Sequence, residues 1–284
     1  MQVRPWIAGL ALAGLFVCVG CVPQDGFKNV ENEVGDMKIE VFDRQGKLVD
    51  TLPTSGHRGL NRSTWSMHMK PPHVPPAATA AFGAVEGPRV PPGVYTVKMT
   101  KGDKVYNAEV KVVLDPRAKF TVEDRQAQFD LMTKLGGMLD HMSWAVDAII
   151  GVRDGAQKGA AKLPEADPLR AKLVALAESA DKIRSKIVAT KEGGAITGEV
   201  RLREYLAGSS DESGLFGDVN SYEGRPTDSQ VARAEVLGHQ LEDVIHEFTE
   251  LANQQLPELN RGLQAKQLTP IAMLSEEDWR KAHE

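Results

Sequence analysis

The sequence predicts an α+β protein in which a small β-sandwich is followed by an antiparallel three-helix bundle. Between residues 37 and 112, apolar and polar residues alternate in short runs separated by turn sequences, a pattern typical of strands. After residue 120, apolar residues recur at steps of three and four in three long segments, which is the spacing of amphipathic helices. Because the two patterns occupy separate parts of the chain, we expect separate β and α domains.

Composition limits the classes of function. The 284 residues are enough for two domains of ordinary size, and a hydrophobic content of 42% is typical of folded proteins. The formal net charge is −5 and no basic cluster offsets it. Nucleic acid and anionic membrane surfaces are therefore not expected as partners.

The N-terminus has the features of an export signal. Arg4 precedes an uncharged apolar stretch at residues 6–20. That stretch is shorter than the roughly 20 apolar residues that a membrane-spanning helix needs. We therefore predict a signal peptide over residues 1–20.

Residues 18–21, Cys-Val-Gly-Cys, resemble a bacterial lipobox, although cysteine stands at position 18 where leucine is usual. The resemblance implies a lipid on Cys21, a polar tether over residues 21–35 and a periplasmic, membrane-anchored lipoprotein. Val22, in place of aspartate, favours the outer membrane over the inner one. An ordinary signal peptide cleaved nearby and an uncleaved anchor are the alternatives. Both cysteines lie in this segment, so no disulfide is expected in the mature domains.

The β-sandwich is predicted over residues 36–115. Turn sequences at residues 43–46 and 101–103 connect strands that follow one another directly. The five predicted strands span residues 37–42, 47–49, 59–67, 93–99 and 104–112.

Three stretches of this part resemble the Ig-like domain of the flagellar-hook-capping type. They are VFDRQGKLVDTL, GLNRSTWSM and GPRVPPGVYTVKMT. The resemblance implies an Ig-like sandwich in which Trp65 and Tyr95 are core residues and Gly93 lies in a turn. Such modules are common appendages and carry no catalysis.

A proline- and alanine-rich stretch, residues 70–92, interrupts the predicted strands and cannot itself be a central strand. Loops of this length in compact domains are usually functional or disordered. We single out Phe82 and Val85 within it as candidates for contact with a protein partner. A surface loop without fixed structure is the alternative.

The helical bundle is predicted over residues 120–273. Thr121 and Asp124 have the spacing of a capping box, and Asp167 with Pro168 is a strong helix start. Residues 151–163, rich in glycine and alanine, are predicted to connect these two helices. The apolar seams are Leu131, Leu135, Met138, Met142, Ala145 and Ile149, then Leu169, Leu173, Leu176, Ala180, Ile183 and Ile187. A glycine pair inside the first seam, at 136 and 137, predicts close approach of a neighbouring helix, with a hinge as the alternative.

The third long helix is predicted to begin with Thr227 or Asp228 as its N-cap and to be kinked or ended by Pro257. Its seam is Leu237, Leu241, Val244, Phe248 and Leu251. Most helical stability comes from burying such a seam, so a bundle of the three helices is the simplest solution. Residues 199–206 are predicted to form a short helix and residues 208–226 a polar loop. Residues 274–284 are a tail anchored only by Trp279.

The two halves together resemble the C-terminal region of large bacterial sortilin-type proteins, which carry BNR-repeat propellers and are exported. The matching stretches are DPRAKFTVEDRQAQFDL, GDVNSYEGRPTDSQ and LPELNRGLQAKQLTPI. Residues 1–20 have the features of an export signal where those proteins have a propeller. No ligand or catalytic site of a propeller is therefore assigned to any residue of this chain.

His239 and His246, together with Glu242 and Asp243, are the candidates for a metal site. At about 100° per residue both histidines fall opposite the apolar seam, so a solvated polar face is the expected arrangement. No other element offers a further ligand, and we predict no metal and no cofactor. The sequence also lacks a nucleophile elbow, a P-loop and a dinucleotide fingerprint.

The leading hypothesis is an exported, lipid-anchored, non-catalytic binding or scaffolding protein of the cell envelope that presents its domains to a protein partner. A separately encoded propeller protein is one candidate partner. The rival hypothesis is an envelope hydrolase acting on polysaccharide or peptidoglycan. It requires two facing carboxylates in a cleft between sandwich and bundle.

Overall fold

A computed structural model describes residues 37–55, 60–78, 81–191, 198–208 and 214–283. It confirms the predicted α+β class, because the strands precede the helices along the chain. The strands are β1 (Met37–Phe42), β2 (Leu48–Leu52), β3 (Gly93–Lys101) and β4 (Lys104–Val112). The helices are α1 (Val122–Ala161), α2 (Pro168–Ile187), α3 (Leu202–Ala207), α4 (Gly214–Asn220), α5 (Asp228–Ala265) and α6 (Glu276–His283).

The strands form one antiparallel sheet in the order β2-β1-β3-β4. The β1–β2 turn is fixed by Asp43, whose carboxylate accepts hydrogen bonds from the backbone N–H groups of Gln45 and Lys47. Gly46 completes this turn with φ of 79°, a conformation that disfavours residues with a Cβ. In the same sheet, Val41 of β1 lies opposite Val97 of β3.

The strand predicted at residues 59–67 is wrong over the described residues 60–67, which have no strand conformation. The neighbouring His68 forms an isolated antiparallel bridge with Arg89. The segment instead brings Trp65 against Tyr95, with ring centroids 5.2 Å apart. Tyr95 is buried and Trp65 half-buried, so the expected core positions are confirmed for Tyr95 and in part for Trp65.

Helix α1 begins with the predicted capping box of Thr121 and Asp124. It continues to Ala161, so the connector predicted at residues 151–163 is wrong over most of its length. The glycines there are sites of close packing: a Cβ at Gly155 would lie 3.1 Å from Ile271. Gly159 is similarly close to Leu263, at 3.2 Å.

The glycine pair in the middle of α1 does not have the close helix contact that we expected. A Cβ at Gly136 would meet Phe216 and Pro72 at 3.8 Å, an ordinary contact distance, and one at Gly137 would meet nothing within 4 Å. The close approaches of this helix are therefore made further along, where the sequence predicted a connector.

Helix α5 contains Pro257 and still continues to Ala265. The expected end of the helix at this proline is therefore wrong. Leu256, Leu259 and Leu263 are all buried, and burial of these side chains offsets the hydrogen bond that proline cannot donate.

The long helices α1, α2 and α5 contact one another, and their buried residues belong to one apolar cluster. Helix α4 lies inside the stretch predicted as a polar loop and buries Phe216 in that cluster. Helix α6, which lies in the predicted tail, packs against the same apolar cluster through Trp279, which is 3% exposed. The tail is therefore a packed element of the helical half.

The long loop between β2 and β3 joins the two halves in its described residues. Ala84 belongs to the apolar cluster of the helices, whereas Val90 belongs to the separate cluster of the sheet. Arg203 of α3 donates from Nε to the Pro75 carbonyl at 2.7 Å, and the His73 N–H donates to Asp140 of α1 at 2.8 Å. The described part of this loop is therefore a structural connection between the two cores.

Candidate functional site

The two edges of the sheet differ in how they are covered. At the β2 edge, the Lys70 N–H of the long loop donates to the Val49 carbonyl at 3.2 Å. At the β4 edge, no described residue outside β3 makes a backbone hydrogen bond to the strand. Residues 104–111 of β4 are all exposed. The edge strand therefore presents a row of unpaired backbone groups to its surroundings.

The exposed strand also carries apolar side chains. Tyr106 is 50% exposed and lies opposite Met99, while Val110 is 39% exposed and lies opposite the buried Tyr95. Alternation along a strand places Tyr106 and Val110 on the same face of the sheet as Tyr95. This face is thus buried around Val41 and Tyr95 but open along β4.

Phe82 and Val85, the loop residues predicted to contact a partner, are 62% and 65% exposed. They flank Ala84, which is buried and holds the single helical turn Phe82–Ala84 against α3 and α4. This turn makes no contact with a strand. The loop turn and β4 are therefore separate exposed apolar regions of the described chain.

A cavity of about 500 Å³ lies where the sheet meets the helices, and we call it the junction cavity. Met67, on its wall, has φ of 62°, which is uncommon for a residue with a Cβ. Its apolar walls are completed by Val90, Pro92, Val112, Val113, Leu114 and Pro116. Its charged lining consists of Arg89, Arg117, Arg125, Asp115 and Glu223.

Both carboxylates of the junction cavity are ion-paired. Asp115 accepts from Arg117 at 2.6 Å, and Glu223 accepts from Arg89. The hydrogen bond from Arg117 lowers the pKa of Asp115. A glycosidase general acid needs the opposite shift, a raised pKa, so the environment of Asp115 does not favour that role.

Arg125 differs from the other two arginines of the cavity. Its side chain is buried, with 3% of the residue exposed, and Nη2 makes a long hydrogen bond of 3.5 Å to the Arg89 carbonyl. Nη1 is shielded from solvent and has no hydrogen-bond partner among the described residues. Burial lowers the pKa of this guanidinium and the neighbouring Arg89 lowers it further, whereas the Glu223 carboxylate partly opposes both effects.

The histidines predicted as candidate metal ligands do not converge. His239 and His246 are both exposed on α5, and His246 lies 3.4 Å from Glu250, its neighbour on the same helix. Glu242, the third residue of the predicted set, instead faces His141 of α1 at 3.6 Å. The part of the chain that the structure describes contains no group of three residues able to hold a metal ion.

Cys21, the predicted site of lipidation, lies outside the described residues. No helix in residues 37–55, 60–78, 81–191, 198–208 or 214–283 is long and apolar enough to cross a membrane.

Neither the buried Arg125 nor the open edge at β4 was predicted from the sequence. Arg125 precedes Gln128, Met132 and Leu135 at steps of three and four, so it extends the apolar seam of α1 toward the N-terminus. A charged residue in a seam position was the available signal. The open edge had no such signal, because strand order in a sheet depends on contacts between distant segments.

No protein-family model, curated protein or solved structure matches this chain.

Proposed function

We propose that this protein is an exported, non-catalytic binding or scaffolding protein of the cell envelope, anchored by a lipid on Cys21. In this proposal its partner is a protein that binds along β4. The observation that carries the proposal is the combination of an unpaired edge and an open apolar face on one strand.

Strand addition explains how such a surface binds. An extended segment of the partner pairs with the free backbone groups of β4, and its alternate side chains cover the apolar face. Tyr106 and Val110 would then be buried beneath it, which makes the association favourable. On the opposite face Glu109 and Lys111 keep the strand soluble when the partner is absent, because charges on an edge strand oppose indiscriminate pairing.

We further infer that the sheet, with the loop that covers it, is an Ig-like module and that α1, α2 and α5 form the predicted three-helix bundle. The contact between Trp65 and Tyr95 supports the first inference. The mutual contacts of the three long helices support the second. With the sequence resemblance, these inferences make a separately encoded propeller protein one candidate partner.

The test is site-specific crosslinking in intact cells. A photo-crosslinking amino acid at position 106 or 110 is expected to capture one protein in stoichiometric amount, identified by mass spectrometry. The double variant Tyr106→Lys, Val110→Lys should abolish capture. The matched control, Phe82→Lys with Val85→Lys, changes apolar residues of the loop turn that are more exposed than Tyr106 and Val110, and it should leave capture intact.

Two outcomes contradict the proposal. If capture disappears only in the loop variant, the binding surface is the loop turn and not β4. If neither position captures a defined protein, the scaffold function is wrong. Anchoring is tested separately with Cys21→Ser, which should move the protein from the membrane fraction to the soluble fraction.

A further inference from the structure

Arg125 is a buried cation whose charge no described residue neutralises directly. The only hydrogen bond of its side chain to a described residue is the 3.5 Å contact of Nη2 with the Arg89 carbonyl, and Nη1 has no partner there. A buried donor without an acceptor is unfavourable, and a buried charge without a counter-charge is more so. Proteins keep such a group at a cost in stability, which a binding role would explain.

The charged side chains that line the junction cavity sum to a formal charge of +1. Three guanidinium groups and two carboxylates line it. Asp115 is ion-paired with Arg117 and Glu223 with Arg89, and neither carboxylate forms an ion pair with Arg125, although Glu223 lies near enough to attract it. An anion that enters the cavity therefore meets a net attraction centred on Arg125.

We propose that the junction cavity binds a small ligand through an oxyanion group, a carboxylate or a phosphate, and that Arg125 is its principal contact. A planar guanidinium offers paired N–H groups that match two oxygens of such a group. Arg117, on the exposed side of the cavity, is paired with Asp115 through Nε and Nη2 and offers its remaining N–H groups to the same oxyanion.

The walls of the cavity indicate the rest of the ligand. Val90, Val112 and Leu114 present apolar surface next to the arginines, so a short aliphatic or aromatic body is favoured over a fully polar one. A volume of about 500 Å³ is within the range of small-molecule sites. The ion pair of Arg89 and Glu223 is partly exposed, and such pairs rearrange at small cost when a ligand enters. This site is distinct from the β4 surface and does not depend on it.

The test is isothermal titration of the full-length protein in detergent with two probes, hexanoate and inorganic phosphate, against a chloride background. Saturable binding of at least one probe is expected, and the tighter probe identifies the class of oxyanion. Arg125→Met, which keeps an unbranched apolar stem without the guanidinium and its charge, should weaken binding roughly tenfold or more. Arg117→Gln should weaken it by a smaller factor, and the remote, exposed Arg280→Gln should not change it.

Each outcome decides the proposal. Absence of saturable binding by both probes overturns it, as does unchanged affinity in Arg125→Met. If Arg125→Met fails to fold, the Arg117→Gln variant decides, because the exposed side chain of Arg117 is not needed for packing. Unchanged affinity in Arg117→Gln contradicts the proposed site. A crystal structure with the tighter probe should place an oxygen of the probe within hydrogen-bond distance of Arg125. A water molecule in that place, with no probe bound in the cavity, overturns the assignment.

Discussion

Replacing Trp279 with alanine tests whether the C-terminal helix belongs to the helical core. Trp279 is 3% exposed, and its Nε1 donates to Asp147 of α1 at 2.7 Å. Its ring lies 5.2 Å from the ring of His73 and 4.3 Å from that of His283. One side chain thus joins α6, α1 and the long loop.

The expected loss follows from this burial. Truncating a buried tryptophan to alanine costs about 3–5 kcal/mol, because apolar contact area is lost and the cavity collapses only in part. Asp147 is only partly buried, so water can replace the lost indole donor and little further cost arises from that bond. We therefore expect the free energy of unfolding to fall by about 3–5 kcal/mol in Trp279→Ala.

The assay is urea unfolding followed by circular dichroism, together with hydrogen exchange of the amides of α6. In Trp279→Ala, the α6 amides should lose their protection. Trp279→Phe keeps an aromatic ring but leaves part of the indole site unfilled, so a smaller loss of about 1 kcal/mol is expected. The exposed Arg280→Gln is the control on the same helix and should change stability by less than about 0.5 kcal/mol.

A loss below about 1 kcal/mol in Trp279→Ala, with unchanged exchange in α6, would refute this reasoning, because it falls far below the cost of emptying a buried tryptophan site. The tail would then be an independent element that contributes nothing to the core.

Three further predictions concern the helices. Phe248→Ala, at a fully buried position of α5, should lower the free energy of unfolding by about 3–5 kcal/mol in urea titrations, and a loss near zero would contradict the packing. Thr227→Ala removes the cap that accepts from Gln230 and should cost about 1 kcal/mol in the same assay, whereas Thr227→Ser should restore most of it. Burial alone would raise the pKa of Asp181, but hydrogen bonds from Arg184 and Arg153 outweigh it and hold the pKa below its ordinary value. As the pH falls, the unfolded state therefore binds a proton at Asp181 at a higher pH than the folded state does. The stabilisation is fully present above the ordinary pKa of the aspartate and is lost below its lowered pKa in the folded state. Asp181→Asn should accordingly be less stable than wild type at pH 7 and nearly equal to it in acid, and a difference independent of pH would contradict this.

Much of the local structure could be predicted, because caps and periodic patterns act within a turn or two of chain. Thr121, Asp167 and Thr227 each begin a helix with the predicted capping hydrogen bond. The alternating runs predicted the bounds of β1, β3 and β4 closely. The seam of α5 is buried at Leu237, Leu241, Val244 and Phe248.

The wrong predictions share a physical cause. Residues 151–161 are rich in glycine, which favours loops locally, yet α1 continues through them because Leu263 and Ile271 need the space that the glycines leave. Pro257 ends an isolated helix, but here the leucines around it are buried against α1 and α2. In each case packing against distant residues outweighs a local propensity of about 1–3 kcal/mol.

The α+β class, the order of the halves and most helix starts follow from the amino-acid sequence, because each depends on neighbours in the chain. Long-range packing sets which sheet edge is covered, where the long loop and the tail pack, and which buried charge has no carboxylate partner among the described residues. Lys70 covers the β2 edge and nothing described covers β4, while the carboxylates of Asp115 and Glu223 pair with arginines other than Arg125. These features depend on which distant segments meet, and periodicity and capping carry no information about that.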